Sequence, residues 1–275
     1  MMNLKDWATQ IILGSKLEDK LIPPPSNHFD WNPILKLPAN PSRDNKIQFS
    51  DKQLKFPKQN NLNNPLNTAI ALSAFANHEL LAVEMMACAV LYYPHQTEEE
   101  KKFKIGLINT IKDEQKHFTL YQKRMNDLGF EFGDFPLNNF FWKQMEKMHT
   151  PESFIATMSL TFEAANLDFA CFYQELFLSW NDLETAKILE IVYQDEISHV
   201  AFGYHYLNKW SKNQNLWDYY LNILPFPLTP ARSKGIHYQE TSRIKAGFSQ
   251  DFIHQISHYK DSFPVTKRKN EIIHR

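Results

Sequence analysis

The sequence predicts an all-α protein whose centre is a bundle of four long helices. Three observations carry that prediction. Only 7 glycines occur in 275 residues, too few for the glycine-rich phosphate loops and tight turns of a doubly wound α/β enzyme or a β-sandwich. Eight of the 15 prolines fall at or before Pro65 and four more at Pro225, Pro227, Pro230 and Pro264, leaving Pro94, Pro136 and Pro151 between residues 66 and 224. Because proline breaks helix interiors, long helices fit only in that middle, and its three prolines mark connections. Within it, apolar residues recur at the three- and four-residue spacing of a buried helical face, as at Leu72, Phe75, Ala76, Val83, Met86 and Val90.

In chain order, a short helix over about residues 3 to 19 precedes an extended arm, whose Phe29, Trp31, Ile34, Leu35 and Leu37 favour packing over the centre. The first long helix runs from about Asn67 to Tyr92. The second starts near Thr97 with an acidic first turn, Glu98 to Glu100, suited to the positive end of the helix dipole, and stops at Gly129. A loop with Gly133, Asp134 and Pro136 leads to a shorter helical segment ending near Thr150. The third long helix spans about Pro151 to Trp180 and the fourth about Leu183 to Trp210, followed by one or two helices within 230 to 259 and a polar tail from Lys267. The divisions are thus an arm over 1–65, the bundle over 66–224 and C-terminal helices over 225–275, read as one structural domain.

Charge and cysteine content narrow the function classes. The net charge is −1 and the isoelectric point near 6.8, so no global field favours nucleic acid or an anionic membrane. Lys101, Lys102, Lys104 and the Lys267–Lys269 run read as solvated charge. Cys88 and Cys171 read as small apolar residues of a reducing compartment, and no basic segment with an apolar core opens the chain, so a cytoplasmic location is expected. No uninterrupted apolar run approaches the roughly 20 residues of a bilayer span.

Four stretches read Glu-x-x-His: Glu114 to His117, Glu146 to His149, Glu196 to His199 and Glu271 to His274. Chance alone supplies about one, so spacing by itself proves nothing. Two of them lie deep in long amphipathic helices and are preceded by aspartate, Asp113 and Asp195. A spacing of three residues puts carboxylate and imidazole on one helix face. The other two long helices repeat a second feature, since Glu79 is followed five residues later by Glu84, and Glu163 five later by Asp168. Glu79 precedes Glu114 by 35 residues and Glu163 precedes Glu196 by 33. Folding each pair of helices back at its turn brings Glu79 level with Glu114 and Glu163 with Glu196. Two hairpins then present the same set, and together offer four carboxylates and two imidazoles, the donor set of a di-iron or di-manganese centre. Four buried carboxylates would cost an amount comparable with the roughly 5 to 15 kcal/mol stability of a domain, whereas two divalent cations cancel their charge. A lone buried Glu or His is ordinarily a satisfied core residue; the repetition is what shifts the reading to metal.

The runs AFANHELLAVEM, DEQKHFTLYQKRMNDLG with GDFP after it, FEAANLDFA and ILEIVYQDEISHVAFG resemble the DUF455 family of ferritin-like proteins. The resemblance implies a ferritin-like four-helix bundle and a dinuclear metal centre, with ligands at Glu79, Glu114, His117, Glu163, Glu196 and His199. Glu84, 30 residues before Glu114, stays open as the alternative ligand of the first long helix. By the same resemblance Asp113 orients His199 and Asp195 orients His117. More distant relatives with this bundle include ribonucleotide reductase small subunits, rubrerythrins and a tRNA hydroxylase, so the fold leaves the substrate open.

Tyr121 and Tyr193 fall on the same helix faces as the ligands and are candidates for a radical or electron relay, against the commoner role of core aromatics. The expected cofactors are two transition-metal ions, iron first and manganese second. The expected activity is oxidation or hydroxylation of a small organic substrate with O2 or peroxide, fed by an electron donor, in a monomer or small oligomer without membrane or nucleic-acid partners. Ferritin-like metal handling, ferroxidase or peroxide removal is the alternative, and a non-catalytic helical scaffold the third reading.

Overall fold

The computed structural model describes residues 2–261 except 27, 30, 34, 35, 37 and 53. Ile34, Leu35 and Leu37 of the arm, the tail from Lys267 and the Glu271–His274 pair lie outside the described residues. Among the described residues the protein is helical, with no strand. The helices are α1 (Leu4–Leu13), α2 (Leu17–Lys20), α3 (Pro65–Tyr92), α4 (Glu98–Asp127), α5 (Pro151–Thr157), α6 (Ala164–Ser179), α7 (Leu183–Ser211), α8 (Leu216–Ile223), α9 (Glu240–Lys245) and α10 (Gln250–His258), with a π-helix, Met158–Glu163, joining α5 to α6. The chain forms two compact units, Met1–Glu146 with Leu176–Ile188, and Lys147–Glu175 with Leu189–Arg275.

In the first unit α3 and α4 form an antiparallel hairpin whose starts follow the local chemistry. Asn64 accepts the first-turn N–H groups of Leu66 and Asn67, and Pro65 occupies the first helical position, where its missing N–H costs nothing. Thr97 and Glu100 make a reciprocal capping box at α4. By length and composition α3 qualifies as a candidate membrane span, contrary to the expectation from apolar runs, but 83% of its most apolar window is buried within the protein.

The predicted N-terminal helix is two helices. Gly14 leaves α1 with extended backbone, and a Cβ at that position would lie 2.5 Å from the Asp19 Cβ, so the reversal into α2 needs glycine. Lys20, fully buried, then donates to the Ile11 and Ile12 carbonyls at the open end of α1 (2.5 and 3.4 Å). A cation there satisfies orphan carbonyls and the negative end of the helix dipole together. Trp7 and Ile11 bury the inner face of α1 against α3.

Buried charged or polar side chains hold the arm at two of its contacts. Arg43 donates to both oxygens of Glu84 (3.1 and 2.7 Å) and to Asn77 Oδ1 (3.0 Å) on α3. Further back, the Trp31 carbonyl meets His95 Nε2 at 2.6 Å, and His95 Nδ1 meets Lys104 Nζ at 2.7 Å. A carbonyl only accepts, so Nε2 carries the imidazole proton and Nδ1 accepts from the lysine. Lys104 is fully buried, has no carboxylate among the described residues within ion-pairing distance, and burial pushes its ammonium down to about 7. The unfolded chain, with a lysine of ordinary pKa, binds more protons than the folded one between about pH 7 and 10.4, so this group makes stability rise with pH through that window. Urea melts at about pH 7 and 9.5 should show the rise in the wild type and a flatter response in Lys104→Met; equal responses would refute it.

In the second unit Thr150 caps α5 and Pro151 takes its first position. Side chains set the register of the third long helical stretch against α7. Asn166 Nδ2 donates to Glu196 Oε1 (2.7 Å), and Gly203 lies against Ser159, where a Cβ would come within 2.2 Å of the serine Cβ. In that register Glu163 is level with His199, one turn along from the expected partner Glu196. Helix α8 lies between Trp210 and Pro225, where the sequence predicts no separate helix, and the segment expected to end near Thr150 is a 3-10 helix over Trp142–Lys147. α9 and α10 are the expected C-terminal helices.

Candidate metal centre

The hairpin of the first unit brings Glu79, Glu114 and His117 together. One donor atom from each lies within 4.8 Å of the others, and all three side chains are buried. Glu114 and His117 are one turn apart on α4, with Oε2 and Nδ1 3.2 Å apart, while Glu79 reaches them from α3. Glu84 goes elsewhere: it is fully buried, both oxygens accept from Arg43, and Lys20 Nζ lies 3.3 Å from Oε1. One carboxylate thus compensates two buried cations, and desolvation holds Lys20 below its ordinary pKa. On α3, His78 stacks on Phe141 (4.6 Å), and desolvation keeps its imidazole well below the usual range and neutral at pH 7.

The second unit carries a Glu-x-x-His pair of its own. Glu196 Oε2 and His199 Nδ1 are 3.3 Å apart on α7, and both are buried. Glu163 is also buried, and it is the last residue of the π-helix, a form that occurs mostly as single turns at functional sites. Asp168, five residues on, is fully buried and held by Arg243 through Nη1 (2.7 Å) and Nη2 (3.0 Å), with the Gly235 and Gln239 N–H groups donating to the same carboxylate (2.8 and 2.6 Å). The second acid of each five-residue pair therefore receives a buried arginine, Arg43 for Glu84 and Arg243 for Asp168.

The remaining candidates are spread differently. Asp113 and Asp195 are half-buried, and Asp113 lies 3.8 Å from Lys116 Nζ. Tyr121 is buried beside Phe75, with ring centres 5.7 Å apart. The Tyr193 hydroxyl is 2.6 Å from Ser242 Oγ. The reading from sequence had no place for Arg43, Arg243 or Asn166. The arginines are 41 and 75 residues from their acids, and no local pattern links residues so far apart.

Chemically, two carboxylates and an imidazole in a buried cluster offer hard oxygen and borderline nitrogen donors, a set that suits iron, manganese or zinc. A divalent ion would neutralise the paired acids, so the residues fit such an ion.

Comparison with known proteins supplies a family and one distant relative. A family model described as "Protein of unknown function (DUF455)" matches residues 9–254. A protein of Haemophilus influenzae with the description "Uncharacterized protein" is 26% identical over 205 residues, which cover 71% of this chain and 70% of its own. No solved structure matches.

Proposed function

Because the chain belongs to the DUF455 family and carries two buried Glu-x-x-His sets, we propose that it holds two transition-metal ions, iron first and manganese second, and acts as an oxidoreductase on a small organic substrate. The observation that carries this reading is the repetition: Glu114 with His117 and Glu196 with His199 are buried pairs of the same geometry, 3.2 and 3.3 Å apart. Each has a further buried glutamate at the matching sequence distance, Glu79 and Glu163. On this reading the four long helices form the ferritin-like bundle that the resemblance implies. When bound, the ions supply the redox chemistry that activates O2 or peroxide. The chain's own contribution is to keep four carboxylates out of water, so that the ions, and not solvent, balance them. Glu84 and Asp168, already neutralised by arginine, leave the ligand set to Glu79 and Glu163.

Elemental analysis after anaerobic reconstitution with iron or manganese tests the proposal. About two ions per chain are expected from the four-carboxylate, two-imidazole set. Less than about half an ion per chain, against that expectation, would favour the scaffold reading. Light scattering addresses storage: a small species that consumes O2 only with reductant and organic substrate fits an oxidoreductase, and a many-subunit, iron-mineralising shell overturns it.

A further inference from the structure

A π-helix widens the turn by one residue and is rarely stable on its own. Around Met158–Glu163 the side chains support it at three points. Thr161 Oγ1 donates to the Ala156 carbonyl, five residues back (2.7 Å). The Tyr220 hydroxyl, from α8, lies 3.2 Å from the Leu160 carbonyl and 2.9 Å from Thr161 Oγ1. Thr161 has spent its one proton on Ala156, so Tyr220 is the donor to this pair of acceptors. Arg243 Nη2 donates to the Ala164 carbonyl (3.1 Å), where α6 resumes. Tyr220, Thr161 and Arg243 are all fully buried.

We propose that Tyr220 is a positioning residue for Glu163, its buried hydroxyl holding open the π-helical turn that ends on that carboxylate. The inference rests on Glu163 being a metal ligand. Its physical content is rotational: each residue of an α-helix turns the chain by about 100°, so closing the wide turn would swing Glu163 by that angle away from its position level with His199. The phenol is suited to the task. Burial pushes its pKa above the ordinary tyrosine value, so it remains a donor at any working pH. Its ring is fixed independently of the hydroxyl by Trp217 and Phe252, with ring centres 5.8 and 5.5 Å away.

Tyr220→Phe keeps the ring and removes the donor. Tyr204→Phe is the control, since it removes another hydroxyl of the same unit, the acceptor for Ser249 N–H at 2.9 Å. Two measurements are made on the full chain: amide exchange across residues 158–164 without metal, and titration with cobalt(II), whose visible bands report ligand geometry. Tyr220→Phe is expected to speed local exchange about five- to tenfold, the worth of one hydrogen bond. It is also expected to weaken cobalt binding about tenfold, as loss of a ligand's support does, and to shift the bands. Tyr204→Phe should do neither. Wild-type exchange and cobalt spectra in a folded Tyr220→Phe overturn the inference. If the wild type takes up no cobalt, the metal reading fails separately, and unchanged exchange still refutes the hold on the π-turn. Should Tyr220→Phe not fold, Thr161→Val removes one of the two acceptors of the Tyr220 hydroxyl together with the Thr161–Ala156 bond, leaving the Leu160 carbonyl bond in place; faster exchange is expected there too, and unaltered exchange overturns the inference.

Discussion

Glu84→Gln is expected to destabilise the protein severely, while Glu79→Gln leaves it folded and takes away metal. Among the described residues, Glu84 is the carboxylate that pairs with two buried cations, Lys20 and Arg43. Removing its charge strands both, and breaking a buried pair costs about 3 to 5 kcal/mol, a large share of the roughly 5 to 15 kcal/mol that holds a domain. A fall in Tm on the order of 10 °C follows, with the arm loosened from α3. Glu79 instead shares its cluster with a second carboxylate, Glu114, and an imidazole, so neutralising it relieves like-charge repulsion in the metal-free protein and removes a ligand from the loaded one. Thermal melts and metal titration of both variants separate the roles. A Glu84→Gln protein of normal Tm that binds no metal, beside a Glu79→Gln protein that binds normally, would reverse the assignment.

Arg243→Leu is expected to have an effect of similar size in the other unit. The guanidinium is fully buried, forks onto both oxygens of Asp168, donates to the Ala164, Ser233 and Gln239 carbonyls (3.1, 2.8 and 3.0 Å), and lies 4.0 Å over the Tyr238 ring. Its loss leaves a buried carboxylate held only by two backbone N–H groups, again a cost of about 3 to 5 kcal/mol. Asp168→Asn should be comparably damaging, and the double substitution should fall well short of the sum, because the second change removes a charge the first has orphaned. Arg243→Lys should rescue little, since an ammonium cannot reproduce the planar fork. Additive losses in Tm across the four proteins would show that the pair is not the unit of stability.

The four long helices were legible because their signals are local. Pro65 and Pro151 occupy first helical positions, Thr97 caps α4 with Glu100, and the apolar spacing in α3 is dense. The two Glu-x-x-His pairs were legible for the same reason, three residues being one helical turn. Less was visible wherever partners come from far along the chain. The sequence marks Glu84 and Asp168 as a matched pair but cannot show that each meets an arginine, so it leaves Glu84 open beside Glu79 as a candidate ligand, whereas the structure puts Arg43 on Glu84. The break at Gly14 escaped because a single glycine in a helical pattern is tolerated unless a neighbour crowds it, and the neighbour is Asp19. The π-turn has no sequence signature either; its supports, Tyr220 and Arg243, lie in the C-terminal segment.

The unequal spans of the two arginine clamps bear on the order in which a growing chain can finish its halves. Arg43 is made 41 residues before Glu84, so when α3 leaves the ribosome its buried acid finds a counter-charge already waiting. Asp168 is made 75 residues before Arg243. Through that interval the third long helix has emerged with an acid that cannot enter a core without a large penalty. Glu84 can therefore be buried with its counter-charge as soon as α3 forms, whereas Asp168 must wait for the C-terminal helices, and it is the nascent stretch around residues 168–243 that is expected to need shelter from aggregation or degradation.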